Sequence, residues 1–334
     1  MHCLVSGVAG FIGSHVAEAL LLQGNSVIGV DSFTDYYARP IKEHNLSRLR
    51  TFSNFRLVEA DLRTADLAAL INGTSVVLHQ AGQPGVRMSW GDQFVDYVSQ
   101  NIAATQRLLE AARRAEVQRF VYASSSSVYG NAESFPTTEA TLPKPFSPYG
   151  VTKLAAEHLC TVYAENWGLP TVSLRYFTVY GPRQRPDMAF HRFIGAALHG
   201  REIEVYGSGE QRRDFTYVGD VVRANLLAAQ RPLPPGSILN IAGGSHATVN
   251  TVLKLIADLV GDEVRIRHVE QKLGDVEETG ADCSLSRLLL GWSPTVQLSD
   301  GLANQIRWQS TAETAALGAG IIARPTPALV KAGA

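Results

Sequence analysis

Short apolar runs alternate with longer segments of helical periodicity along the first half of the chain. The short runs are typical of strands, and the longer segments predict helices. The predicted strands are 3–5, 26–30, 55–58, 75–78, 119–123 and 171–175, and the predicted helices are 11–23, 64–71, 94–115 and 149–167. Strand and helix in alternation indicate an α/β protein with a doubly wound parallel sheet.

The pattern becomes irregular beyond position 176, where loops rich in Gly, Pro and Arg are interrupted by helical segments at 218–229 and 249–260. We expect residues 1–175 to form the sheet domain and 214–242 to return to it. Residues 176–213 and 243–310 are expected to form a smaller C-terminal lobe that binds the substrate. The stretch 311–334 is rich in Ala, Gly and Pro with few charges, and predicts a flexible tail.

Composition narrows the class of protein. The 334 residues are 45% hydrophobic and 18% charged, with a net charge of −1, so no general basic field attracts nucleic acid or anionic lipid. Cys3, Cys160 and Cys283 are widely separated and odd in number, and the nine histidines show no ligand spacing, so neither a disulfide framework nor a metal site is expected. A reducing cytoplasm fits best, since no apolar run could span a bilayer and a secretory leader is not expected.

A glycine-rich turn predicts a dinucleotide site. Gly7, Gly10 and Gly13 follow the first strand and open a helix, with GxxGxxG spacing, so that backbone amides can approach a pyrophosphate at the positive end of the helix. Asp31 ends the second strand, where a carboxylate can accept both ribose hydroxyls of NAD and repel the 2′-phosphate of NADP. Asp61, after the third strand, is placed to meet the adenine edge.

A tyrosine and a lysine predict catalytic chemistry. Tyr149 and Lys153 are four residues apart on a predicted helix and therefore share one face. The lysine ammonium is predicted to lower the phenol pKa from its usual value of about 10. Alone, such a pair is usually a solvated helix face. Together with the serine cluster 124–127 upstream and the glycine turn, it indicates an oxidoreductase-type site.

Several motifs together resemble the extended short-chain dehydrogenase/reductase family over roughly residues 1 to 310. They are the GxxGFIG turn, Asp31, Asp61-Leu62, His79-Gln80-Ala81-Gly82, Asn101, the serine run before Val128-Tyr129-Gly130, Tyr149-Gly-Val-Thr-Lys153 and Arg175-Tyr176-Phe177. Within this family the chain is most similar to nucleotide-sugar epimerases, in particular UDP-glucuronate 4-epimerases. The segments 31–37, 85–87, 123–130 and 178–188 carry that finer likeness.

The resemblance implies a Rossmann domain that keeps NAD bound while hydride leaves C4 of a UDP-sugar and returns to the opposite face. Tyr149 would take the proton of the 4-hydroxyl, Ser125 would hydrogen-bond the reacting oxygen, and Lys153 would hold the ribose. The implied NAD contacts are Gly7, Gly10, Phe11, Ile12, Gly13, Asp31, Ser32, Asp61, Leu62, Gln80, Ala81, Gly82, Asn101, Ser124, Tyr149, Lys153 and Tyr176. The implied substrate contacts are Arg87, Ser125, Ser126, Ser127, Thr178, Arg185, Tyr206, Arg213 and Asp275. Lys272 stands where many relatives carry Arg.

The resemblance also bears on which reaction of the family is catalysed. Decarboxylases of the family carry Glu where this chain has Ser127, and dehydratases carry Asp-Glu at Ser126 and Ser127. Thr178 replaces the Asn that is usual in UDP-glucose 4-epimerases. These substitutions favour 4-epimerisation of UDP-glucuronate to UDP-galacturonate. Epimerisation of UDP-glucose or UDP-N-acetylglucosamine is the alternative, followed by UDP-glucuronate decarboxylation.

Two readings from other classes are disfavoured. A catalytically inert sensor of NAD would not need the intact set Ser125, Tyr149 and Lys153, and an RNA-binding relative would need a basic and aromatic stripe. Relatives dimerise through a pair of helices like those predicted at 94–115 and 149–167. A homodimer with a UDP-sugar substrate, and without nucleic-acid or membrane partners, is therefore expected.

Overall fold

The computed structural model describes residues 1–270 and 274–318, so Lys272 and the segment 319–334 lie outside the described residues. The strands are β1 His2–Ser6, β2 Ser26–Asp31, β3 Phe55–Glu59, β4 Val76–His79, β5 Arg119–Ser125, β6 Thr171–Tyr176, β7 Val179–Tyr180, β8 Ile203–Tyr206, β9 Arg212–Arg213, β10 Thr216–Tyr217, β11 Ser237–Ile241, β12 Ala247–Thr248 and β13 Ile266–Val269. The helices are α1 Phe11–Leu22, α2 Arg39–Leu46, α3 Leu67–Ile71, α4 Phe94–Tyr97, α5 Ala104–Arg114, α6 Pro148–Trp167, α7 Ala189–Leu198, α8 Val218–Gln230, α9 Val249–Val260, α10 Ser284–Leu290 and α11 Leu298–Gly318.

Seven parallel strands form the central sheet in the order β11-β6-β5-β4-β1-β2-β3. This confirms the predicted doubly wound fold, and all six predicted strands are present. The strand order reverses between β1 and β4, and the crevice beyond the carboxyl ends of strands at such a point is where doubly wound folds bind ligands.

Apolar residues of the strands face helices on both sides, as a parallel sheet requires. One layer packs α1, α8 and α10 against the sheet, with Val16, Leu20 and Val221 fully buried. The other packs α3, α5 and α6, around Leu108 and Phe120. The sheet is therefore covered on both faces, and the loops at its carboxyl edge extend from packed strands and helices.

A second core lies beyond the sheet. Residues from β7, α7, β8, α9 and α11 form it, with Phe190, Ile194, Ile256 and Leu302 among its buried members. The chain returns from this lobe to the sheet at β11, which pairs with β6. The boundaries set out above, including the return over 214–242, stay a prediction.

Two details differ from the sequence expectation. The helix predicted at 94–115 is interrupted by a π-helical segment, Val98–Ala103, between α4 and α5. Helix α11 continues to Gly318, so the tail predicted from position 311 is helical over 311–318, and its flexibility stays a prediction. The sequence TAETAALG there is rich in strong helix formers and ends with glycine, which explains the extension. The rest of the predicted tail lies outside the described residues.

Among the helices of residues 1–270 and 274–318, none combines the length and the apolar character that crossing a membrane requires. The same part of the chain brings no three His, Cys, Asp or Glu side chains together as a group that could hold a metal ion.

Candidate active site

A cleft at the carboxyl edge of β1, β2 and β4 contains most of the predicted cofactor residues. Its lining includes Gly7, Gly10, Phe11, Ile12, Gly13, Asp31, Ser32, Asp61, Leu62, Gln80, Ala81 and Gly82. The loop of backbone amides at the start of α1 faces this cleft, and Gly13 packs so closely on the loop that a Cβ there would stand 2.1 Å from the carbonyl oxygen of Gly7. The residues present therefore fit the pyrophosphate of a dinucleotide.

Asp31 closes the ribose end of the cleft. One carboxylate oxygen accepts the backbone N–H of Ala9 at 2.9 Å, and the other accepts that of Phe33 at 2.9 Å. These bonds fix the carboxylate and leave a lone pair on each oxygen for a ribose hydroxyl. Burial raises the pKa of Asp31, and the two backbone bonds oppose that rise.

Replacing Asp31 with Ala is expected to weaken NAD binding by about 1.5–3 kcal/mol, the worth of hydrogen bonds to a charged group. Because burial raises the pKa of Asp31, wild-type affinity should begin to fall on acidification at a higher pH than for an ordinary aspartate. Calorimetric titration of cofactor-free protein with NAD and NADP measures both effects. Asp35→Ala, at an exposed position of the same loop, is the control. Equal wild-type affinity for NAD and NADP would contradict the role of Asp31.

Further cleft residues were missed by the sequence reasoning. Tyr36, Tyr37 and Lys42 line the cleft from the segment after β2. The Lys42 ammonium donates to the carbonyl of Thr34 and lies 4.8 Å from the centroid of the Tyr37 ring. The segment 31–37 indicated the family, but only the folded loop shows that these side chains turn towards the nucleotide.

The start of α6 explains how Tyr149 reaches Ser125. Ser147 caps the helix by accepting the N–H of Gly150 at 3.1 Å, and Pro148 occupies its first turn. A Cβ on Gly150 would lie 2.5 Å from the carbonyl oxygen of Ser127, so only glycine allows the helix to pack this closely on the serine turn. The start of α6, which carries Tyr149, is thereby held against the serine turn, and Ser125 is among the groups that act on the pKa of the Tyr149 phenol.

The pKa of Tyr149 is raised, and burial is the largest cause, while Ser125 and Arg185 act in the opposite direction. The prediction that Lys153 lowers this pKa below its ordinary value is therefore wrong. Burial also lowers the pKa of Lys153 to about 8. Its ammonium lies 4.7 Å from the centroid of the Tyr122 ring and behind Gly82 of the cleft.

A second chamber adjoins the serine turn. Its lining includes Ser126, Ser127 and Thr178, together with Arg213 and Asp275. The three predicted hydroxyls are thus brought together, and the acid in this lining is Asp275. Neutral donors can hold an anionic group without transferring a proton to it, so the chamber suits a carboxylate better than it suits acid–base chemistry at C5.

Three predicted substrate residues contact one another beside this chamber. Arg87 donates to Asp275 at 2.8 Å and stacks 4.2 Å from the centroid of the Tyr206 ring. They belong to three different segments, namely a turn after β4, the end of β8 and the loop after β13. A diphosphate bound here would have to share or replace the carboxylate of Asp275 as the partner of Arg87.

The two other predicted arginines are placed differently from each other. Arg213 donates to the backbone carbonyls of Arg212, Val276 and Glu277, so part of its guanidinium is already committed to holding that loop. Two of its five N–H groups remain for a phosphate. Arg185, expected at the sugar, lines the nucleotide cleft, where Asp187 accepts two bonds from it at 3.0 Å each. Its charge also lowers the pKa of the Tyr149 phenol, and its role at the sugar stays a prediction.

Three predicted cofactor residues lie buried behind the cleft lining. The amide of Asn101 holds both backbone groups of Gln83 and the hydroxyl of Thr152. Ser124 donates to Glu157, and Tyr176 bonds to Gln80 and Asn225. These contacts position residues of the cleft, and direct contact of the three residues with the cofactor stays a prediction.

The nucleotide cleft, the half-buried Tyr149, the buried Lys153 and the adjoining chamber together define a dinucleotide-dependent enzyme of the oxidoreductase type. The chain belongs to the NAD dependent epimerase/dehydratase family, which it matches over residues 3–242. The family is NAD-dependent, as the glycine turn and Asp31 predict. The resemblance drawn from the sequence motifs is therefore confirmed.

Individual relatives are similar over nearly the whole chain. An uncharacterized UDP-glucose epimerase of Bacillus subtilis is 45% identical over 93% of this chain and 98% of its own length. The UDP-glucuronate 4-epimerase of Thermodesulfobacterium geofontis is 37% identical over 91% of this chain and 95% of its own. The crystal structure of UDP-glucuronic acid 4-epimerase from Bacillus cereus, with UDP-glucuronic acid and NAD, has a TM-score of 0.91 and 42% identity, covering 93% of this chain and 100% of that one.

Proposed function

We propose that this protein is an NAD-dependent UDP-sugar 4-epimerase that interconverts UDP-glucuronate and UDP-galacturonate. The observation that carries the proposal is the chamber in which Ser126, Ser127 and Thr178 adjoin the Tyr149 site. The likeness to UDP-glucuronate 4-epimerases supports it. UDP-glucose is the alternative substrate, because a relative that is named as a UDP-glucose epimerase is 45% identical.

The proposed mechanism assigns one task to each residue of the site. The glycine turn and Asp31 would hold NAD, which would supply the hydride chemistry at C4 of the sugar. Tyr149 removes the proton of the 4-hydroxyl and later gives a proton back, while Ser125 donates a hydrogen bond to the reacting oxygen. Lys153 holds the nicotinamide ribose and supplies positive charge near the phenolate. Asp31 holds the adenosine ribose, and Arg213 orients the diphosphate with its remaining donors.

The chamber also addresses the chemical hazard of this substrate. A 4-keto hexuronate is a β-keto acid and loses CO2 readily when the C–C bond to the carboxylate stands perpendicular to the ketone plane. Hydroxyl donors at Ser126, Ser127 and Thr178 can hold the carboxylate away from that alignment. Because serines replace the acids of the family's decarboxylases and dehydratases at 126 and 127, no acidic side chain there supplies a proton to the enolate that CO2 loss would leave.

Incubation with UDP-glucuronate, UDP-glucose and UDP-N-acetylglucosamine, with product identification and measurement of CO2, tests the proposal. UDP-glucuronate should give UDP-galacturonate with little UDP-pentose. A wild-type preference for UDP-glucose would make a general UDP-hexose 4-epimerase the better assignment. Release of stoichiometric CO2 would indicate a decarboxylase instead.

Thr178→Val is expected to lower the rate with UDP-glucuronate relative to UDP-glucose by about tenfold or more, since it removes a hydrogen bond to a charged group. The rate with UDP-glucose should fall much less, because this sugar carries a neutral CH2OH in place of the carboxylate. Thr216→Val is the matched control, because the Thr216 hydroxyl is buried and has no hydrogen-bond partner among the described residues, while its backbone N–H donates to Thr178. An equal loss with both sugars would remove the assignment of the carboxylate to Thr178.

We also infer a cytoplasmic homodimer. Apolar side chains on the helices of residues 94–114 and on α6 are exposed on the monomer, among them Val95, Val151, Val162 and Trp167. A patch of this kind is typical of a protein–protein interface. Sedimentation should give twice the monomer mass, and Val95→Glu with Val162→Glu should shift the protein to monomer. A wild-type monomer would argue against the homodimer.

A further inference from the structure

A buried ion pair lies directly behind the Tyr149 site. Arg175 of β6 and Glu157 of α6 have side chains only 3% and 1% exposed. The pairing is bidentate, with Nη2 of Arg175 at 2.6 Å from Oε1 of Glu157 and Nε at 3.0 Å from Oε2. The free energy needed to remove two charges from water is about equal to or larger than the free energy gained from their attraction. A pair this deeply buried is therefore poorly explained by stability alone.

The pair is joined to the serine cluster. Oε2 of Glu157 also accepts the hydroxyl of Ser124 at 2.7 Å. Ser124 is paired with Arg175 across β5 and β6, and Ser125, next along the strand, is the partner of Tyr149. Glu157 thus fixes the end of β5 from the helix that carries Tyr149.

The pair is also connected to Lys153, whose positive charge the proposed reaction needs. Tyr149, Lys153 and Glu157 are successive members of one face of α6, four residues apart. Burial lowers the pKa of Lys153 to about 8, and Glu157 and Cys160 oppose that change. The titratable or charged groups around Lys153 are Tyr149, Glu157 and Cys160 on α6, Tyr122 on β5, His79 on β4, and Arg175 behind Glu157 on β6.

Neighbouring contacts leave Glu157 as the group whose charge can act on Lys153. His79 is held between Ser6 and Thr105, and burial lowers its pKa to about 3, so it is neutral at physiological pH. Burial raises the pKa of the Cys160 thiol, so this group opposes the fall in the Lys153 pKa only once it ionises, and at physiological pH the negative charge near Lys153 is that of Glu157. The remaining terminal nitrogen of Arg175 donates to the hydroxyl of Tyr129 at 2.7 Å.

We propose that Glu157 and Arg175 are positioning residues for the site: Glu157 keeps Lys153 charged and holds Ser124, and with it Ser125, in register with Tyr149. Arg175 balances the carboxylate so that it can be buried. The expected effect on kcat rests on the proposed function. The effect of Glu157 on Lys153 should also change NAD binding, which can be measured without any sugar.

Glu157→Gln tests the electrostatic part, because it keeps the size of the side chain and removes the charge while Arg175 stays. The alkaline midpoint of NAD affinity, measured calorimetrically on cofactor-free protein, should fall by about one pH unit, as expected when a charged neighbour is lost. The alkaline limb of kcat should move in the same direction. The KM for the UDP-sugar should change little, since Glu157 contacts the helix and strand rather than the sugar chamber.

A second variant keeps the proposal testable if the unbalanced Arg175 prevents folding. Glu157→Leu combined with Arg175→Met replaces the pair by apolar side chains, which buried pairs often tolerate. Its alkaline midpoint should lie between those of wild type and Glu157→Gln, because both charges are absent. Asp220→Asn is the matched control. Asp220 lies on α8 rather than α6, is also buried, and is paired with Arg223 of the same helix at 2.8 Å. Its alkaline midpoint should equal that of wild type.

Identical alkaline midpoints in wild type, Glu157→Gln and the double variant would overturn the proposal and reduce the pair to a structural feature. An equal shift of the alkaline midpoint in Asp220→Asn would also overturn the proposal, since the shift would then reflect a general loss of structural rigidity. The proposed function is contradicted by a different result, a wild-type protein that does not epimerise UDP-sugars. In that case the NAD titration still decides whether Glu157 acts on Lys153.

Discussion

Replacing Tyr149 with Phe is expected to reduce kcat by about a thousandfold or more, the upper part of the range for loss of a general acid–base group. The substitution keeps the ring, which packs edge-on against Tyr97 with centroids 6.3 Å apart. It removes the oxygen that takes the proton of the sugar 4-hydroxyl. UDP-sugar affinity should therefore change little, because binding depends on the diphosphate and the chamber of hydroxyls.

Steady-state turnover and calorimetric UDP-sugar binding measure the two effects separately. Tyr163→Phe on the same helix is the control, since the Tyr163 hydroxyl donates to Glu110 at 2.7 Å on the face that packs against α5. It should cost some stability and leave kcat near that of wild type. A Tyr149→Phe enzyme of near-normal rate would mean that another group accepts the proton.

Gly13→Ala is expected to weaken NAD binding by at least about a hundredfold, as two or more charge-assisted bonds from backbone amides to the pyrophosphate are lost. The added Cβ would stand 2.1 Å from the carbonyl oxygen of Gly7 and 2.8 Å from its carbon. Both contacts are with backbone, so no side-chain rotation can relieve them. Either the phosphate-binding turn or the start of α1 must move.

NAD titration of cofactor-free protein checks this prediction, with circular dichroism to confirm that the fold is retained. Gly280→Ala is the matched control, because its Cβ would meet the side chains of His246 at 3.4 Å and Phe135 at 3.9 Å, which are ordinary contacts with movable groups. If Gly13→Ala binds NAD as well as Gly280→Ala does, the turn adjusts at little cost and the close packing is not essential.

Much of the sheet could be predicted because each strand carries its own signal. The runs that end at Asp31 and begin at Arg119 are short, apolar and bounded by helical segments, so local patterning was enough. The second lobe could not be predicted in the same way. Its strands β7, β9, β10 and β12 have only two residues each, and α7 lies in a stretch whose glycines and prolines favour a loop interpretation.

The site residues also fall into those that local sequence spacing predicts and those that depend on tertiary folding. The glycine turn, Asp31, Tyr149 and Lys153 were predictable because their spacing acts within one strand–turn–helix unit or along one helix. The position of Arg185 depends on how the loop after β7 folds over the cleft, and the buried role of Asn101 depends on the π-helical segment. The raised pKa of Tyr149 was missed because spacing along a helix says nothing about how deeply the helix is buried.

The return of the chain to the sheet limits how this enzyme can be recombined with its relatives. The path leaves the sheet after β6, returns through α8 and β11, departs again to α9, comes back at α10 against the sheet and ends in α11 on the outer lobe. A chimaera made with one crossover would therefore split both hydrophobic cores between two parents. Exchange of sugar preference by shuffling should need several simultaneous junctions, whereas point substitution at the hydroxyl-lined chamber leaves both cores whole.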